Sequence, residues 1–396
     1  MKRISELFFL LLILLATLAM LCYPQAAYDG ACRGLETWIT HLLPSLLPFF
    51  IAADLLLSLG FVRFLGVLLE PVMRPLFRLP GEAGFAVALG FTSGFPMGAI
   101  LTASLKEQSL CTPQEAARLA AFTNNSSPLF LLISVPLSML HQPQLGVLLL
   151  SAHYLANLTI GILLRFTAEP CRQAIVPRRL LRTAISQLQQ YQAAHRQSFG
   201  ALLGQAVQKG LDSIIKIGGF VLLFSVLLSL LQASGLLNIL QTFFAALLKL
   251  LHLDPQLSTA LSAGLLEMTL GAKFAAECQT DLLQQLMVIS FILGWSGLSI
   301  QAQVNSILAG QQISSRLYCL CRPLQGLLAA VYIPFLTVLF PHIFSVNVWQ
   351  QLYPAAGNLP YYLLWFFPLW AFAILLCLSV LFRLVSRLLA KPPLFK

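Results

Sequence analysis

Apolar residues fall in long blocks separated by short polar stretches, and about 20 consecutive apolar positions let a helix cross a bilayer. Residues 7–21 form the first block, preceded by Lys2 and Arg3. No small-x-small site follows Cys22-Tyr23-Pro24, so the block is expected to remain as a span with a cytoplasmic N-terminus. Residues 24–36 then read as an outer loop and 38–59 as the second span. In 61–79, Arg63, Glu70, Arg74 and Arg78 interrupt the apolar positions at helical spacing. Glu70, Arg74 and Arg78 share one face, which predicts an amphipathic helix in the cytoplasmic interface.

The next apolar block, 85–105, is broken. It contains Gly90-Phe91-Thr92-Ser93-Gly94-Phe95-Pro96-Met97-Gly98-Ala99. Gly90, Gly94 and Gly98 stand at four-residue spacing, where small residues let a second helix approach. Pro96 donates no N–H and its ring crowds the carbonyl four residues back. Thr112-Pro113-Gln114-Glu115 predicts a capped helix start. That helix meets a second break at Asn124-Asn125-Ser126-Ser127-Pro128, followed by apolar 129–140 and a full span over 144–165. Interrupted backbone at bilayer depth is tolerated only against protein or a water-lined cavity. The two breaks therefore predict a polar site near the midplane.

Residues 165–209 hold seven Lys and Arg against Glu169 alone and read as a basic, glutamine-rich cytoplasmic linker. Beyond it the order repeats: a span over 214–231, an interfacial helix over 236–251 with Lys249, and a broken block 257–274. The block 282–293 then runs into Gly294-Trp295-Ser296-Gly297-Leu298-Ser299, and a span covers 325–340. Gly98-Ala99 corresponds to Gly271-Ala272, and Ser127-Pro128-Leu129 to Ser296-Gly297-Leu298, 29 residues apart in the first half and 25 in the second. Matched interruptions in two halves point to a transporter's binding site. Counting spans makes the halves inverted: three full spans and one re-entrant segment each. The expected fold is an all-α polytopic membrane protein of about eight transmembrane helices plus two re-entrant or broken helices. Its expected parts are an N-terminal span and outer loop (1–37), a first repeat (38–166), the linker (167–209), a second repeat (210–340), and an outer loop and C-terminal span (341–396), with both termini cytoplasmic.

Composition changes the picture little. Charged residues make up 10% of the chain, against about 25% in soluble domains. The net charge of +10 lies beside hydrophobic blocks, where the positive-inside rule accounts for it, so nucleic acid is not an expected partner. Eight cysteines include no C-x-x-C pair, and the six histidines are scattered, so neither a metal nor another cofactor is expected. No hydrolase or kinase motif is present, and an enzyme is not expected.

The candidate substrate-binding residues are Thr92, Ser93, Gly94, Pro96, Gly98, Asn124, Asn125, Ser126, Ser127, Gly271, Lys273, Ser296 and Gly297. Half-helix amide ends beside them favour a carboxylate. Glu267 lies in the second broken segment; it reads either as a coupling carboxylate or as an ion pair with Lys273 or Arg316 that holds the fold. Lys273 either attracts an anion or snorkels to the interface. Trp295, Gln301 and Gln303 line an opposing wall or pack the core, and His153 shuttles protons or is packed.

Gly94-Phe95-Pro96-Met97-Gly98-Ala99, Glu115-Ala116-Ala117-Arg118-Leu119 and Phe122-Thr123-Asn124-Asn125-Ser126-Ser127-Pro128-Leu129-Phe130 resemble the YlbJ (SpoVV) sporulation integral membrane protein family. That family sits among proteins bearing the nucleoside-recognition gate domain, and residues 264–271 resemble its second gate segment. The resemblance implies a mother-cell or outer forespore membrane protein that passes dipicolinic acid, a small dianion, towards the developing spore. The expected function is thus a secondary transporter of a small anion working by alternating access in the lipid bilayer, a homo-oligomer being compatible with this. The alternatives are a nucleoside transporter and a non-transporting scaffold for spore envelope assembly.

Overall fold

In a computed structural model, which describes residues 2–168, 180–195 and 197–339, the chain is helical and strand-free among the described residues. The expected loop 341–360 and C-terminal span lie outside them. Helix α1 (Lys2–Cys22) and α2 (Pro24–Thr37) meet at a 104° bend. Residues 24–36 are therefore helix rather than the expected loop, and the reason is packing. Gly30 and Gly34 of α2 lie against Leu222, Ser225 and Ser229 further along the chain, and Arg33 donates to the Ser229 hydroxyl at 2.7 Å. A π-helical turn, Trp38–Leu42, leads into α3 (Leu43–Ser58), and α4 (Phe61–Phe77) turns 82° away from it. The polar face of α4 carries the ion pair Arg74–Glu70 at 2.7 Å, while Val62, Leu65, Leu69 and Met73 are buried.

Helices α5 (Ala83–Ser93) and α6 (Met97–Glu107) form a hairpin. In one continuous helix Gly90 and Gly98 would lie about 12 Å apart. Here a Cβ on Gly90 would stand 3.3 Å from the Gly98 Cα, so the chain has folded back. The three glycines therefore do not share one helix face. Gly94 adopts φ +88°, which L side chains rarely tolerate, and the glycine stripe divides between the two arms. A Cβ on either Gly90 or Gly98 would overlap the carbonyl oxygen of Thr123, at the end of α7 (Pro113–Thr123). Residues 124–127 are unwound before a π-helical stretch, Phe130–Met139, and α8 (Leu145–Leu164) follows.

Part of the expected linker is also helical: α9 (Leu180–Ala194) packs on α4, and α10 (Phe199–Ala233) begins well before the expected span. Ser198 caps it by accepting from the Ala201 amide. Then come α11 (Leu236–Leu250), the hairpin α12 (Ser258–Leu266) and α13 (Met268–Glu277), the broken pair α14 (Leu282–Trp295) and α15 (Gly297–Gly310), and α16 (Arg316–Leu339). A Cβ on Gly271 would overlap the Gly264 Cα, so this second hairpin crosses at glycine as the first does. Four helices among the described residues are long and apolar enough to cross a membrane, six if each bent pair counts as one span.

The order of elements thus occurs twice: two helices, a hairpin, a broken helix and a closing helix. Each broken helix crosses over. The core around α3 to α7 takes Val304 and Leu308 from α15, and the core around α14 and α16 takes Leu131 and Val135 from the π-helical stretch. The breaks are where the chain passes from one half's hairpin to the other's.

Candidate functional site

Each hairpin tip sits on the break of the helix that follows it. At the first, a Cβ on Gly94 would lie 2.8 Å from the Ser127 Cβ. Helix ends leave amides and carbonyls without intrahelical partners, and Asn124 serves one of each. Its Oδ1 accepts from the Ala99 amide of α6 at 2.8 Å, and its Nδ2 donates to the Ala120 carbonyl of α7 at 2.8 Å. The Ser126 amide donates to His153 Nε2 at 3.2 Å, and the Phe130 amide donates to the Ser127 hydroxyl at 3.3 Å. Thr92 bonds back to the Ala88 carbonyl of its own helix, and Pro96 occupies the N-cap of α6.

At the second, Ser296 and Gly297 adopt φ +67° and +74°, and a Cβ on Gly297 would stand 3.2 Å from the Glu267 Cα. Trp295 Nε1 donates to the Leu265 carbonyl at 3.0 Å, and Gln301 Nε2 donates to the Trp295 carbonyl at 3.0 Å, so these side chains tie tip to break. Gln303 bonds weakly to Ser299 on its own helix. Glu267 caps α13: its carboxylate accepts from the Thr269 amide at 2.9 Å and the Leu270 amide at 2.8 Å. It pairs with neither Lys273 nor Arg316. Lys273 is exposed, 3.9 Å from Glu277, and is not brought to the tips; Gly271 lies at the hairpin crossing. The amide ends expected to receive a carboxylate are thus engaged by Asn124 and Glu267 of this chain.

The cation at the site comes from a residue that the sequence reading passed over. Arg322 of α16 is fully buried; its Nη1 donates to the Asn124 carbonyl at 3.0 Å and its Nη2 to the Ala121 carbonyl at 2.7 Å. Its guanidinium lies 4.8 Å from the Tyr318 ring centre, and the Tyr318 hydroxyl is beside Ser296. One turn of α16 therefore joins the second break to the first. Ser126 and Met268 also meet across the halves, Oγ to Sδ at 3.9 Å. Among the described residues no carboxylate forms an ion pair with Arg322. Its Nε, the Ser93 hydroxyl, Asn125 Oδ1 and His153 Nδ1 are buried without a protein partner. A buried polar group left so costs about 1–3 kcal/mol, which a polar ligand or water recovers. Asn124, Asn125, Ser126 and Ser296 are at most 1% exposed, so this arrangement is closed to solvent. The signal in the sequence was a lone arginine beside Pro323 in an apolar helix, since an intramembrane charge needs a reason.

A separate cleft of about 530 Å³ opens at the base of the first hairpin, lined by Arg74, Lys106, Glu107, Cys111, Glu115 and Gln311 among others. It does not reach the tips.

The Gate family, described as nucleoside recognition, matches residues 39–167 and 214–311, one stretch on each side of the linker. The sporulation integral membrane protein YlbJ of Bacillus subtilis is 39% identical over 360 residues, covering 90% of this chain and 85% of that protein. An uncharacterized protein of Alkalihalophilus pseudofirmus is 33% identical over 116 residues, 28% of this chain and 25% of its own. No solved structure matches. The chain belongs to the Gate nucleoside-recognition family and, within it, to the YlbJ sporulation integral membrane proteins.

Proposed function

We propose that the protein is a sporulation membrane transporter that moves a small anion by alternating access between two inverted halves. The observation that carries this reading is Arg322, a fully buried guanidinium held by backbone carbonyls with no carboxylate against it among the described residues. Burying an unpaired cation costs several kcal/mol, and an anion that enters between the hairpin tips recovers that cost. Support for alternating access comes from the closed tips and from the crossing of each broken helix into the other half's core. Dipicolinate, a small dianion, is the substrate to test first, and the mother-cell or outer forespore membrane is the proposed location, with both termini cytoplasmic.

Uptake of radiolabelled dipicolinate into proteoliposomes containing the purified protein tests the reading. Saturable uptake that Arg322→Gln abolishes supports it. Uridine uptake without dipicolinate uptake favours a nucleoside carrier instead, for which the family description speaks. Flux of neither leaves the scaffold for envelope assembly.

A further inference from the structure

His153 lies on α8 and is 1% exposed. Its Nε2 accepts the Ser126 amide at 3.2 Å, and an imidazole nitrogen that accepts carries no proton. The ring in this state is neutral, with its proton on Nδ1, which has no partner among the described residues. The bond it makes is to the backbone of the first break, where two residues meet the other half: Asn124, whose carbonyl accepts from Arg322, and Ser126, whose hydroxyl lies 3.9 Å from Met268 Sδ. The ring is therefore wired to the element that must move if the halves exchange access.

The charged group facing the ring is Arg322 from α16. Helix α14 and the π-helical stretch contribute no ionisable side chain. On α7, Arg118 is turned towards the Phe77 and Arg78 carbonyls, and on α4, Glu70 and Arg74 pair with each other. On α8 itself, Tyr154 is the neighbouring ring, 6.1 Å between centres, and its hydroxyl bonds the Phe91 carbonyl. Arg165, at the far end of α8, is about 18 Å along the helix.

Resting on the anion-transport reading, we infer that His153 is a proton-binding site that couples anion movement to one proton travelling in the same direction. A proton from the aqueous side adds to the Nε2 lone pair, and no other bond forms. The new N–H then opposes the Ser126 N–H, two donors that cannot bond, and the break is released. The imidazolium and Arg322 are two adjacent cations in a buried site, an arrangement that needs an anion between them. Proton and anion therefore load together. On the other side the anion departs, the proton returns to water, and Nε2 again accepts from Ser126. Glu267, with both oxygens on the amides of α13, is not needed for this step.

The test uses the full-length protein in proteoliposomes with dipicolinate as probe, comparing wild type with His153→Gln. Glutamine retains an oxygen acceptor for the Ser126 amide and takes up no proton. Wild type should exchange labelled for unlabelled dipicolinate without a gradient, and accumulate it up to about tenfold for an inward gradient of about one pH unit. H153Q, which holds the Ser126 amide and takes up no proton, should lose the accumulation. An H153Q that exchanges and still accumulates overturns the proposal. If H153Q neither folds nor exchanges, the wild type decides: dipicolinate added to unbuffered, detergent-solubilised protein with a pH-indicator dye should draw about one proton per anion bound, and none overturns the proposal. Wild type that does not exchange dipicolinate at all refutes the anion reading itself, which is a distinguishable failure.

Discussion

Replacing Arg322 by glutamine separates the fold from the site. The guanidinium makes two charge-assisted hydrogen bonds, at 2.7 Å to the Ala121 carbonyl of α7 and at 3.0 Å to the Asn124 carbonyl just beyond it. Bonds to a charged group contribute about 1.5–3 kcal/mol each. Against them stands the cost of holding a cation in a fully buried position, also several kcal/mol. Glutamine removes both, and its amide can still donate to one carbonyl. Thermal unfolding in detergent should therefore place the variant within about 2 kcal/mol of wild type. Anion binding has no such offset. Losing one partner of a buried, hydrogen-bonded charge pair costs about 2–5 kcal/mol, so affinity should fall at least about 30-fold. Isothermal titration with dipicolinate in nanodiscs reads this directly. A variant that binds the anion within about threefold of wild type would refute the argument. So would one that unfolds outright, since Arg322 would then be structural.

Asn124→Ala strands the Ala99 amide and the Ala120 carbonyl, both buried, and should destabilise by about 2–6 kcal/mol, measured as a fall in unfolding temperature; a change under about 0.5 kcal/mol would mean that water replaces the side chain. Glu267→Gln keeps an acceptor for the amides of α13 but loses the charge at that helix start, so stability should drop by about 0.5–2 kcal/mol. The pH dependence of dipicolinate uptake should be unchanged in that variant, and a flattened profile would return the coupling role to Glu267. Glu82, at the base of the first hairpin, is held above the ordinary carboxylate range by burial, with the neighbouring Glu70 acting in the same direction. The folded state binds its proton more tightly than the unfolded one, so the stability it contributes is present below that range and is lost as pH rises through its folded value. Glu82→Gln should flatten this slope in unfolding midpoints taken from mildly acidic to neutral pH, and an unchanged slope would exclude Glu82 as its source.

Much of the architecture was legible because its causes are local. Apolar length marked the membrane-crossing helices, Thr112 and Pro113 marked the start of α7, and Gly94 with Pro96 marked the first hairpin tip. Asn124 and Ser127 announced a break because four polar side chains in a row at bilayer depth require partners. Helix α2 was missed, as its composition is polar and only contact of Gly30 and Gly34 with α10 makes it ordered. Of the two readings of Lys273, its exposed side chain agrees with snorkelling, a choice that the sequence leaves open because it does not say which side of a ten-residue helix faces the tips.

By itself the sequence determined the helical membrane class, the repeated order of elements and the positions of the interruptions, all properties of segments about one helix long. Only the tertiary structure decided what those interruptions meet. Arg322 lies 198 residues from Asn124 along the chain, and His153 lies 27 from Ser126. No periodicity connects such residues. Their meeting follows from α16 and α8 both packing against α7, which tertiary contact alone selects.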